Sequence, residues 1–151
     1  MADWFKNVRD AVAEAFAAKL TAEGVTGVPV TTRDVSTENL PAVRVTYNAS
    51  EQEVGGTNVR DDYGYPIQIG LYTIQPNEGE SDETPGMSAT QFRQYVREKF
   101  HRKRAVAVDG IDCFLCEYDP TGAVVDEAAP TFQQLRAVAV VTVYARVPRG
   151  S

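Results

Sequence analysis

The sequence predicts an α+β domain: an antiparallel or mixed four-stranded sheet with two helices packed on one face. Three observations carry this. Apolar residues recur at helical spacing after Asp3 and again after Ser88. Apolar residues alternate with others along 42–48, 65–72 and 135–147. These segments come in the order helix, two strands, helix, two strands, and an αββαββ order places both helices on the same face of the sheet.

Asp3 is the predicted N-cap of the first helix. Phe5, Val8, Val12, Phe16 and Leu20 form its apolar stripe, opposite Lys6, Arg9, Asp10 and Glu14, and Gly24 ends it. Residues 25–40, punctuated by Gly27 and Pro29, read as irregular connection. From Ala42, Val43, Val45 and Tyr47 share one strand face, and Arg44, Thr46 and Asn48 the other. The stretch 53–64, with paired glycines and paired acids, reads as a long connection. A second strand follows, with Tyr65, Ile67, Ile69 and Leu71 facing inward and Gln68, Gly70 and Tyr72 outward, and the two strands form an antiparallel hairpin.

Residues 75–87 are acidic and almost devoid of apolar side chains, which predicts a flexible loop that orders on meeting a partner. Ser88 and Gln91 form a capping-box signature for the second helix. Phe92, Tyr95, Val96 and Phe100 line one side of that helix, with Arg93, Arg97 and Arg104 elsewhere. Asp109-Gly110 is a hairpin dipeptide, so either "AVAV" pairs with "IDCFLCEY" or only the latter is a strand. The last strand, from Leu135 to Val147, is far longer than the usual 5–6 residues. A strand of that length overhangs a small domain, and its excess suits partner contact.

The length of 151 residues fits one domain, and none of its apolar runs reaches the roughly 20 residues of a membrane span. "MADWFKNVRD" is charged, so a signal peptide is not expected. The net charge of -6 gives no bulk attraction to nucleic acid or anionic membrane. The charge is nonetheless segregated. Residues 93–104 hold six cations and one acid, whereas 109–127 hold six acids and no cation. Such blocks either fold against each other or pair between copies.

No catalytic, cofactor or metal site is expected. His101 is the sole histidine and stands at the basic end of a helix, with no recognisable nucleophile or acid partner. Cys113 and Cys116 lie in a strand pattern beside acids, which disfavours a reactive thiolate, and positions three apart on a regular strand face opposite ways. They are read as structural. Asp109, Asp112, Glu117 and Asp119 do not follow calcium-loop spacing. "EVGGTN" lacks the Lys-Ser/Thr of a phosphate-binding loop.

"DDYGYPIQIGLY", "YVREKFHRKR", "CEYDP" and "VTVYARVPRG", in that order, resemble the small neck proteins of tailed bacteriophages, above all tail terminators and head-tail joining proteins. The resemblance covers roughly residues 60–150, and the first 59 match only in having a helix and a strand. It implies a non-enzymatic virion subunit without a cofactor. That subunit assembles in the host cytoplasm into a ring, typically a hexamer, which caps the tail tube and docks to the head connector. DNA would only pass through the lumen, and no membrane is involved. The interface residues expected on this reading are Asp61, Asp62, Tyr63, Arg93, Arg97, Arg102, Lys103, Arg104, Tyr144 and Arg146. The runners-up are a head-completion adaptor or tail tube protein of the same virion and, from another class, a small-ligand-binding α+β domain. The final "VPRGS" resembles part of a thrombin-site scar, but Arg146 stands where such a site has Leu and the strand pattern runs into it, so it is read as native.

Overall fold

A computed structural model describes residues 3–33, 35, 41–56, 60–73, 87–119 and 135–148. Its elements run α1 (Trp4–Ala22), β1 (Val30–Thr31), β2 (Ala42–Tyr47), β3 (Gln52–Gly56), β4 (Arg60–Tyr72), α2 (Ala89–Phe100), β5 (Asp112–Asp119) and β6 (Leu135–Pro148). Among the described residues the fold is α+β with two helices, as expected, and the sheet is mixed, one of the two expected forms, with six strands and not four.

Both helices begin where the sequence places them. The Asp3 carboxylate accepts the Lys6 N–H at 3.0 Å and caps α1. At α2 the Ser88 hydroxyl accepts the Gln91 N–H at 3.1 Å, and the Gln91 side chain accepts the Ser88 N–H at 3.0 Å. Each cap satisfies donors that a helix start leaves orphaned, worth about 1 kcal/mol. Spacing of four residues puts Val8, Val12, Phe16 and Leu20 on one side of α1, and Phe92, Val96 and Phe100 on one side of α2, all buried. The helices meet through Phe16, whose ring centroid lies 5.7 Å from that of Phe92 and 6.3 Å from that of Phe100.

Strand order across the sheet is β1-β2-β4-β6-β5, with β3 pairing β4 beyond the end of β2. Only β1 runs parallel to its neighbour. β4 and β6 form the spine, paired from Arg60↔Pro148 to Tyr72↔Leu135. The excess length of β6 is therefore not a free overhang: β4 is almost as long and accompanies it throughout.

The two strands absent from the sequence reading have physical reasons. β1 is a two-residue strand in the stretch read as irregular, too short to show alternation. β3 carries the paired glycines read as loop, and a register shift between Glu53 and Gly55 breaks the period of two. β4 accordingly starts at Arg60, so Asp61–Gly64 lie in a strand and not in a loop. Pro66 sits inside this central strand, where proline is normally excluded. Its carbonyl accepts the Asn48 N–H at 2.9 Å just past the last β2–β4 pair, Tyr47↔Ile67, so its missing N–H falls at the end of that ladder and only the reciprocal bond to Asn48 is forgone. Of the two readings of 105–119, the second holds: "AVAV" is not a strand and Asp112–Asp119 is. The expected acidic loop lies outside the described residues, apart from Met87, which is buried in the core.

A single apolar layer between helices and sheet contains Tyr65, Ile67, Ile69 and Leu71 of β4, alternate residues of β6, Val43 and Val45 of β2, and both helix stripes. Cys113 and Cys116 belong to it as well. A β-bulge between Cys113 and Leu115 adds a residue, so cysteines three apart face the same way. This corrects the expectation of opposite faces.

Candidate functional site

Two surfaces concentrate the chain's chemistry. One is a basic ridge on the β5 side of the sheet. α2 packs over β5 and β6 and turns Arg93 and Arg97 to solvent. Past its end the chain doubles onto the outer margin of β5. The Arg102 N–H donates to the Cys116 carbonyl at 2.8 Å, and the Cys116 N–H donates to the Lys103 carbonyl at 2.9 Å. Arg102 is the only described non-glycine residue at positive φ, 56°. Its side chain is exposed and, like those of Arg93 and Arg97, has no ion-pair partner among the described residues. Two further cations are engaged: Lys103 Nζ donates to the Glu98 carbonyl, and Arg104 pairs with Asp112 at 2.6 Å.

His101 stands at this margin too. Its Nδ1 accepts the Tyr118 N–H at 3.2 Å, and its ring meets the Tyr118 ring edge-on. The bond requires the neutral imidazole with its proton on Nε2. His101 and Lys103 together occupy outward-facing backbone groups of β5, which protects an edge strand from pairing with other chains.

The second surface is a groove of about 750 Å³ where the N-terminus of α1 crosses the sheet. Its walls are Asp3, Trp4 and Phe5 of the helix start, Tyr47 and residues 48–51 between β2 and β3, Tyr63 and Tyr65 of β4, and Val147. Five of these are aromatic and the only ionisable acids or bases besides tyrosine are Asp3 and Glu51. Phe5 holds the aromatic set together, with ring centroids 4.5 Å from Tyr47 and 5.2 Å from Tyr65. Burial, then the carboxylate of Glu51, which accepts its hydroxyl, hold the Tyr65 phenol protonated well above the usual range. Trp4 leans on the turn before β5, where Gly110 has φ 93°, and its indole nitrogen is buried without an acceptor.

The expected interface residues do not form one site. Arg93, Arg97, Arg102, Lys103 and Arg104 come together on the ridge. Asp62 and Arg146 are directly opposite each other on β4 and β6 and pair at 2.9 Å, with the guanidinium 5.3 Å from the Phe114 ring centre. They satisfy one another instead of waiting for a neighbour. Tyr144 donates to Glu117 at 3.4 Å and lies against Gly64. Asp61 is opposite Val147, and Tyr63 lines the groove. Sequence reasoning missed Trp4, Phe5, Tyr47 and Glu51, because only the topology brings "DWF" and "YNASE" together.

Among the described residues, no three of His, Cys, Asp and Glu converge to hold a metal ion. Cys113 and Cys116 are free and buried. Burial, aided by Cys116 and Asp112, pushes the Cys113 thiol up to about 11, and burial likewise raises Cys116. Neither is a ready nucleophile. Among the described residues, no helix is long and apolar enough to cross a membrane. No known protein family, curated protein sequence or solved structure matches the chain.

Proposed function

We propose that the chain is a structural ring subunit of a tailed-phage neck, of the tail-terminator or head-tail joining kind, acting by assembly and not by chemistry. The observation that carries this reading is the placement of opposite chemistries on two separate surfaces of one domain. Among the described residues, cations without an ion-pair partner lie on the β5 side, and a groove carrying Asp3 and Glu51 opens where the start of α1 meets β4 and the β2–β3 connection. A rigid domain cannot bring these surfaces together within itself. Two copies can, head to tail, and a heterologous contact repeated with rotation closes a ring. The partners would be further copies of the chain, the tail tube and the head connector, with DNA passing through the lumen and the subunit residing in the virion.

Light scattering on the purified chain tests this. The reading expects a discrete closed assembly at low ionic strength that loses mass as salt screens the charged surfaces. Charge reversal at Arg97 is expected to reduce assembly while leaving the monomer fold intact. A second reading, a small-ligand domain, is favoured by the same groove. A melting-temperature rise with a small organic cation, in a chain that never self-associates, would support it.

A further inference from the structure

We infer that the aromatic groove is a receptor for a guanidinium group, and that its occupant is the Arg102 side chain of a second copy of the chain. This rests on the ring-subunit reading and names the two surfaces that meet. Aromatic faces attract cations through their negative quadrupole, and a nearby carboxylate adds charge and a hydrogen-bond acceptor. The groove offers both: Tyr47 and Tyr63 in its walls, with Glu51 exposed at its rim. The same chemistry already operates inside the chain, where the guanidinium of Arg9 lies 4.9 Å from the Tyr47 ring centre. Among the described residues no basic side chain lines the groove itself, and Arg9 stands over the Tyr47 ring beside it.

Arg102 is the fitting donor for independent reasons. It is exposed and has no ion-pair partner among the described residues. The backbone around it is fixed by the bonds to Cys116, so on contact only the side chain, and not the segment carrying it, has to be ordered. It also holds a left-handed conformation, φ 56°, where glycine is favoured. Strain of this kind, held in place by surrounding structure, is a recurrent mark of functional positions.

The test uses full-length chains and the fact that Trp4, in the groove wall, is the sole tryptophan. Self-association is followed by light scattering and by Trp4 emission for the wild type, Glu51→Lys, Arg102→Glu and the double variant. Each single charge reversal is expected to weaken self-association by about tenfold or more, and the double variant, with charges exchanged, to recover part of it. Trp4 emission is expected to shift as the wild type associates. Single variants that associate like the wild type, or a double variant no better than either single, overturn the pairing while leaving a ring built on other contacts.

If the wild type stays monomeric, a synthetic peptide of residues 99–106 is titrated against it. A saturable Trp4 response that Glu51→Lys abolishes upholds the groove as a guanidinium receptor and counts against the ring. No response, or an equal response to arginine amide, overturns the assigned occupant.

Discussion

Replacing Gly110 with alanine attacks the contact that seats Trp4, and the size of the effect can be worked out from the structure. Gly110 has φ 93°, and a Cβ built there falls 2.8 Å from the Trp4 ring. Forcing an L-residue into a left-handed conformation costs roughly 1–2 kcal/mol. Displacing a packed ring adds an overpacking cost of about 1–3 kcal/mol. Alanine returns about 0.4–1 kcal/mol by stiffening the unfolded chain. The net is a destabilisation of roughly 1–5 kcal/mol, centred near 3, and the central value lowers the melting temperature of a domain of this size by about 6–12 °C. Urea and thermal unfolding by circular dichroism measure it. The same substitution in a Trp4→Ala background isolates the steric part, since only the backbone cost survives there. A neutral Gly110→Ala, or an equal loss in both backgrounds, would refute the packing of Trp4 on this turn.

The other predictions concern the ridge and the core. Arg102→Gly is expected to be neutral to about 1 kcal/mol stabilising, because relief of the left-handed backbone offsets glycine's entropy, and to weaken self-association; denaturant midpoint and light scattering read the two effects separately. Stability is expected to fall with rising pH above about 9. The Cys113 thiol titrates near 9.0 when exposed and near 11 when folded, so its contribution is complete below the lower value and lost as pH rises through the upper. This accounts for on the order of 2 kcal/mol, and Cys113→Ala is expected to flatten that limb of a urea-midpoint profile. His101→Ala removes the acceptor for the Tyr118 N–H, so hydrogen exchange at Tyr118 is expected to accelerate and stability to drop by about 1 kcal/mol. Unchanged protection at that amide would mean that the imidazole does not cap the strand.

The helices and the inward faces of β2, β4 and β6 were legible because local rules and tertiary packing agree there. Asp3, Ser88 and Gln91 cap as their side chains dictate, and the described apolar residues at helical or alternating spacing in those elements lie inside or against the core, except Tyr47, which is 42% exposed. The failures follow from two-residue bookkeeping being interrupted. A register shift hides β3, and a bulge in β5 turns Cys113 and Cys116 the same way. The charged ridge was visible as a run of cations, but which of them are free was not: Arg104 is matched by Asp112 and Arg146 by Asp62, both long-range pairings set by strand register. The groove was invisible, because its walls come from three chain segments that only the fold unites.

The central claim, a subunit that assembles by bringing its basic ridge to the aromatic groove of the next copy, is tested most directly by its solution mass. Light scattering across a concentration series is run at about 0.05 M and about 1 M salt, where the screening length falls from over ten to roughly 3 Å. The account predicts one discrete closed species of about six copies at low salt, shifting toward monomer at high salt. A monomer at every concentration and salt, including when mixed with tail tubes, would contradict it.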